Sequence, residues 1–283
     1  MKRLIALLIA LSTCMTGITR ADKIIWLNAE FPPMAISQGP HAHQGYINKL
    51  AGHLASVLPQ HQFGEKVVPW QRAMHIAEQG GPYCLLAALQ TPEREAFLRF
   101  SKPYVYVLPP GLVIRFSQRE TFAKYLNADG QIQLERLLQD PNLRPGIAIQ
   151  RSYGSRIDSL LKSASHLQAT SVSQMHQSDS TSGLLRMLKH QRIDYTFSNP
   201  DELQYFSSHH QDLLFYLIEG NNQLLPRSLS CTRSEETEQA FADLSETLKS
   251  NSHQKLLRNS YERWLPEYLI EPYQRMLQEL PKQ

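Results

Sequence analysis

Apolar residues arrive along this chain in short bursts, separated by polar and turn-forming stretches. Lys23 to Asn28 reads as a strand, broken by Phe31-Pro32-Pro33. From Ile47 to Leu58 the apolar positions fall at helical spacing and stop at Pro59. Lys66 to Val68 reads as a strand, and Gln71 to Gln79 as a helix ended by Gly80-Gly81. Tyr83 to Leu89 is the next strand and Pro92 to Phe97 the next helix. The two patterns alternate, which predicts a largely parallel sheet.

The second half repeats the alternation. Leu112 to Phe116 is an apolar strand, and residues 117–145 hold a helix from Leu134 to Leu138 between polar connections. Gly146 to Ile149 reads as a strand, and Arg151-Ser152-Tyr153-Gly154 turns into a helix from Ser155 to Leu161. A helix at Leu184 to Leu188, a strand at Ile193 to Phe197 and a helix at Pro200 to Phe206 follow. Leu214 to Ile218 is a strand ending at Gly220-Asn221-Asn222, and helical spacing covers Thr237 to Leu248 and Gln254 to Trp264. Two groups with one crossing out and one back predict two α/β lobes, the C-terminal segment rejoining the first. The expected division is 22–112, 113–222 and a return segment with C-terminal helices at 223–283. Leu112–Ile114 and Ile218–Asn222 are the hinge candidates.

Chemistry concentrates at Thr91-Pro92-Glu93-Arg94-Glu95, directly after the strand that ends near Leu89. Thr91 can cap a helix whose first position is Pro92, where the missing N–H costs nothing. Arg94 then falls in the first turn, close to the strand's carboxyl edge, where small ligands collect in open α/β sheets. Its guanidinium is a rigid fork matched to a carboxylate. The competing reading is a surface arginine paired with Glu93 or Glu95.

The first residues change the charge picture. Lys2 and Arg3, an apolar run from Leu4 to Leu11 and small residues up to Thr19-Arg20-Ala21 read as an export signal, 1–21, too short to span a bilayer. Leu11-Ser-Thr-Cys14 leaves a lipidated Cys14 as the alternative, although Thr13 suits that poorly. Removing residues 1–21 takes away three bases and no acid, leaving 26 basic residues against 26 acidic ones. The overall pI of 8.7 therefore reflects the leader, and nothing calls for nucleic acid or an anionic membrane as partner. Cys84 and Cys231 remain, and an oxidising compartment favours a bridge between them over two buried thiols.

Thr91-Pro-Glu-Arg-Glu followed by Phe100-Ser-Lys-Pro-Tyr104 resembles the signature of family 3 extracellular solute-binding proteins, the polar-amino-acid-binding type. Further pieces run in the same order: Asn28-Ala-Glu-Phe31-Pro-Pro33, Gly45-Tyr46, Trp70-Gln-Arg72, Arg151-Ser-Tyr-Gly154, Arg192-Ile-Asp-Tyr-Thr196 and Arg263-Trp-Leu-Pro266. The resemblance implies a bilobed, type II periplasmic-binding-protein-like α/β fold with a two-crossing hinge and a ligand in the cleft. It implies that Arg94 holds a ligand carboxylate, with Leu89 beside it at the strand end. Phe31 and Trp70 fall near aromatic positions that touch the ligand, the alternative being ordinary core packing. Glu30 is a candidate for attracting an amine, or an ordinary loop carboxylate. Arg151 and Ser152 open a helix whose free N–H groups suit an anion. Ser152 matches a ligand-contacting hydroxyl and reads equally well as the helix N-cap.

Two departures shift the expected ligand. Asn199 stands where the amino-acid binders place an aspartate for the α-ammonium, and Ala87 replaces a ligand-touching serine. A buried ammonium without its charge pair is costly, so Asp201 or Glu202 would have to substitute. The ligand class stays open among amino acids, peptides, polyamines and organic acids. The implied partners are an ABC permease or a membrane sensor, the protein itself being a monomer without a cofactor. The paired histidines His41 and His43, and His209 and His210, lack the surrounding ligands of a metal site. An enzyme of the dehydratase kind would need a cleft acid or base, for which Glu30, Glu202 and His176 are the candidates.

Overall fold

A computed structural model describes residues 23–148, 151–164, 173–175, 180–207 and 212–280. The expected leader with Cys14, and His176, His209 and His210, lie outside the described residues. The first region runs β1 (Lys23–Asn28), α1 (Tyr46–Val57), β2 (Gln62–Val67), α2 (Trp70–Glu78), β3 (Tyr83–Ala88), α3 (Pro92–Glu95), β4 (Leu98–Phe100) and β5 (Val105–Val107). The second runs β6 (Gly111–Arg115), α4 (Arg119–Ala123), α5 (Leu134–Leu138), β7 (Pro145–Ala148), α6 (Ser155–Ser163), β8 (Ser173–Met175), α7 (Ser180–Lys189), β9 (Tyr195–Ser198), α8 (Pro200–Phe206) and β10 (Leu213–Tyr216). The chain then returns through β11 (Leu225–Thr232), α9 (Glu238–Leu248), α10 (Asn251–Glu262) and α11 (Glu267–Gln278).

Two sheets result. The first has the order β2-β1-β3-β11-β4, with β5 also pairing β11; the second has the order β10-β6-β9-β7-β8. Strands β2, β1 and β3 are parallel, as are β9, β7 and β8. The returning β11 runs antiparallel to β3, β4 and β5, and β6 antiparallel to β9 and β10. Both sheets are therefore mixed, not largely parallel: each lobe is entered or left by a strand that reverses direction. The crossings are Leu108–Pro110 and the stretch 217–224, tied together where Asn221 Nδ2 donates to the Pro110 carbonyl at 2.9 Å. Leu112–Ile114 lies inside β6, paired on both sides and fully buried.

Residue patterns explain the layers. On α1, Tyr46, Ile47, Leu50 and Leu54 form one buried stripe. Every residue of β6 and β9 is buried, as central strands covered on both faces require. By contrast β2 is an edge strand with mostly polar or half-exposed residues, anchored by stacking of Phe63 on Trp26 at 5.2 Å. A small separate core forms under α2 from Leu27, Ala73, Ala77, Leu85, Ala88 and Leu98. Cys84 and Cys231 face each other across β3 and β11 and form a disulfide, their Cα atoms 4.0 Å apart. The bridge fastens the return strand to the first sheet with the whole second sheet inside its loop. No helix of the described residues is long and apolar enough to cross a membrane.

Candidate functional site

At the carboxyl end of β3, Leu89 and Gln90 lead into the short helix α3. Thr91 Oγ1 accepts from the Arg94 N–H at 3.4 Å, and Pro92 takes the first helical position. That cap turns the Arg94 side chain back toward the strand end. Its Nη1 donates to the Leu89 carbonyl at 2.8 Å, and the guanidinium lies over the Trp70 ring, 5.1 Å from its centroid. Neither neighbouring acid pairs with it: Glu95 accepts from Gln90, and no carboxylate of the described residues lies within ion-pair distance. Burial lowers the Arg94 pKa, and the nearby Arg227 charge lowers it further, with Glu93 opposing. Trp70, Phe31 and Leu89 are each between 37% and 39% exposed, so none is spent on core packing.

The second lobe presents a different arginine. Arg151 makes a bidentate pair with Glu202, Nη1 to Oε1 at 2.9 Å and Nη2 to Oε2 at 2.6 Å, and donates to Thr181 Oγ1 at 2.6 Å. Its guanidinium also lies between the rings of Tyr153 and Phe31, at 5.4 and 5.6 Å. Burial works against the charge, but Glu202 outweighs it and raises the Arg151 pKa. Arg151 is thus neutralised within the protein and bridges the lobes through Phe31. Asn199 is similarly committed, its backbone N–H and Nδ2 both donating to Glu202 Oε2 at 3.0 Å at the start of α8.

Ser152 lies outside the helix start. Gly154, at φ 99°, is the N-cap of α6, so the N-cap reading of Ser152 is not what the structure shows. The Ser152 hydroxyl instead donates to Asp158 Oδ2 at 2.5 Å, and Asp158 Oδ1 accepts from the Tyr153 N–H. An open depression of about 310 Å³ lies beside it, lined by Arg151, Ser152, Asp158, Leu161 and Lys162. Another, of about 330 Å³ between α10 and α11, is remote from all these residues. Glu30 accepts from the Ser37 N–H at 2.8 Å and from its hydroxyl, a bond within its own loop. Its charge also reaches Tyr205 of the second lobe.

Where the lobes meet, a second polar group appears. Tyr46 of α1 points its hydroxyl at Asp201 Oδ2 of α8, 3.4 Å away. Asp201 is 4% exposed; burial, with the Glu202 charge added, pushes its carboxyl up to about 7. Arg227 of β11 acts electrostatically on Tyr46, Tyr104, Arg94 and Asp201, and so stands among them. Tyr46 and Tyr104 lie in sequence pieces quoted above without a role; Arg227 lies between Pro226 and Ser228, in a stretch with no signal. Nearby, His41 and Trp264 pack on Tyr205 at 6.1 and 5.5 Å, completing the contact between lobes.

No protein-family model matches the sequence, and no curated protein matches it either. Solved structures do. An ancestral cationic amino acid solute-binding protein superposes with a TM-score of 0.63 at 14% identity, covering 87% of this chain and 96% of that one. The probable amino-acid ABC transporter extracellular-binding protein of Bacillus subtilis gives 0.62 at 15% identity, covering 88% and 100%. A putative L-cystine ABC transporter structure from Listeria monocytogenes gives 0.58 at 17%, covering 88% and 98%. The chain has the bilobed solute-binding-protein fold. In this binding-protein fold the two sheets are the two lobes. Arg94 and Trp70 belong to one lobe and Arg151, Asn199 and Glu202 to the other. Phe31 and Tyr46 belong to the first lobe and reach across to the second, touching Arg151 and Asp201.

Proposed function

We propose that this chain is an exported, periplasmic binding protein that shuts its two lobes over a small polar solute bearing a carboxylate. Arg94 carries the reading: a half-buried guanidinium at a strand's carboxyl edge, stacked on Trp70, with one donor used on Leu89 and no ion pair to a carboxylate of the described residues. A carboxylate there would gain a bidentate, charge-assisted contact and relieve the repulsion between Arg94 and Arg227. Closure would turn about the crossings at Leu108–Pro110 and 217–224, with the Phe31–Arg151 and Tyr46–Asp201 contacts holding the lobes together. The neighbours named for amino-acid ABC transport support delivery of the solute to a permease; presentation of the closed form to a membrane sensor would use the same cleft.

A thermal-shift screen of amino acids, peptides, polyamines and organic acids tests this. A solute at one hundred times its Kd should add about 2.7 kcal/mol of stability. Arg94→Ala should abolish the shift from carboxylates and leave the ligand-free melting temperature nearly unchanged; an undiminished shift removes Arg94 from the site.

One observation favours a second reading, a dehydratase-like enzyme acting on a small carboxylic acid. Asp201, near 7, sits in the range for proton transfer at neutral pH. Glu202 is held by Arg151 and Glu30 by Ser37, so Asp201 would be the acid or base. Product appearing in the same mixtures, and lost in Asp201→Asn, would establish that reading over simple binding.

A further inference from the structure

The carboxylate site at Arg94 leaves part of the interlobe chemistry without a task. Arg227 Nε and Nη1 are buried and have no hydrogen-bond partner, and the Tyr104 hydroxyl is likewise buried and unpartnered. Backbone pairing sets the two residues side by side, the Tyr104 N–H donating to the Arg227 carbonyl at 3.1 Å. Three buried polar atoms without partners in one place are unusual, since leaving a buried bond unmade is costly, and more so for a charged group.

The acids nearby do not answer them. Asp201 is the carboxyl whose charge reaches Arg227, yet neither an ion pair nor a hydrogen bond joins the two. Glu202 is consumed by Arg151, and Glu30 by Ser37. Arg94 and Arg227 repel each other, and neither is matched by a carboxylate of the described residues. The interface thus offers two guanidinium groups without ion pairs among the described residues, close enough to repel each other but on separate elements, α3 and β11.

We propose that Arg227 and Tyr104 form a second anion-recognising subsite, so that the solute is a dicarboxylic acid, one carboxylate on Arg94 and the other on Arg227. This rests on the carboxylate-binding reading above and narrows it. Each fork lacks an acidic partner of its own, so a solute with two carboxylates can answer both, and Tyr104 supplies a neutral donor to the second. Monocarboxylic acids and cationic amino acids leave Arg227 unmatched.

Calorimetric titration of the full chain with glutarate and adipate, against butyrate and hexanoate, tests the subsite. The dicarboxylates should bind about 10–100-fold more tightly, the range expected for hydrogen bonds to a charged group. Arg227→Gln should remove that advantage, bringing the dicarboxylates level with the monocarboxylates, whereas Arg94→Ala should weaken both classes. Tyr104→Phe, which keeps the ring packing, should cost the dicarboxylates alone. If Arg227→Gln fails to fold, Arg227→Lys keeps the charge, loses the fork and should give an intermediate loss. Equal affinity for both classes, or an Arg227→Gln variant with undiminished preference, overturns the second subsite while carboxylate binding stands. Absence of any carboxylate binding to the wild-type chain overturns the underlying reading as well.

Discussion

Two buried aspartates in this protein live under opposite conditions. Asp194, between α7 and β9, accepts from Arg115 Nη2 at 3.1 Å, Arg144 Nε at 3.0 Å, the Arg144 N–H at 2.9 Å and Gln118 Nε2 at 3.3 Å. Arg115 in turn donates to the Leu188 and Ile193 carbonyls. Burial pushes the Asp194 carboxyl up, but those bonds, Arg144's above all, bring it down to about 2. Asp201, on α8, has one long bond from Tyr46 and one from the Glu202 N–H, and its carboxyl rises to about 7. The first acid is supplied with donors on both oxygens and pins the second sheet; the second is short of them and sits where two lobes meet. A buried polar group with every partner supplied holds a fold together, while one left short of partners points to something that arrives later.

The sharpest way to break that comparison is to remove each acid. Asp194→Ala strands a buried Arg115, and equilibrium denaturation should show a loss of about 3–5 kcal/mol. Asp201→Asn removes a carboxyl that burial disfavours, so stability at pH 8 should be unchanged or higher; a loss matching that of Asp194→Ala would erase the distinction. Reducing the Cys84–Cys231 bridge should cost about 3–5 kcal/mol by chain entropy, since its loop takes in the entire second lobe. Denaturant titration with and without reductant measures it, and solute binding below the transition should survive.

Acidity separates the two sites with opposite signs. The Asp194 carboxyl is depressed, so its contribution is present above the ordinary carboxylate range, near 4, and is lost as pH falls toward about 2. The Asp201 carboxyl is raised, so its contribution is present below about 4 and is lost as pH rises through about 7. Tyr46 of α1, Tyr261 of α10, Arg227 of β11, Glu202 of α8 and Arg151 are the charged or titratable groups acting on it. Melting temperatures of wild type and Asp201→Asn across pH 4–8 should diverge, the variant losing the fall toward neutral pH. The smallest expected effect is at the aromatic pair: Trp70→Ala or Phe31→Ala should weaken solute binding by about 0.5–2 kcal/mol, with little change in ligand-free stability.

Much of this was legible in the residues. Thr91-Pro92 locates the cap that aims Arg94, and the export signal expected from the first residues points to the Cys84–Cys231 bridge. The central strand β6 announces itself through Leu112-Val113-Ile114, because burial on both faces favours an apolar run. What stayed hidden has physical causes. Strand β11 carries Pro226 and the buried Ser228 and Ser230, and a register shift interrupts its pairing, so neither alternation nor an apolar run marks it. Pro272 inside α11 masked a helix that packs through Tyr273, whose hydroxyl donates to the Tyr106 carbonyl at 2.7 Å. Arg151 and Glu202 are 51 positions apart, and their neutralising pair is a tertiary fact that spacing cannot convey. Arg227 is hidden for the same reason: that its buried Nε and Nη1 lack hydrogen-bond partners is a fact only packing reveals.

Calorimetric titration at neutral pH of wild type and Arg94→Ala, with the carboxylate that stabilises the wild type most, tests the central claim. Stoichiometric binding to the wild type and a loss of about 100-fold or more in the variant are expected, with the ligand-free melting temperature unmoved. Equal affinity in the two proteins would contradict it.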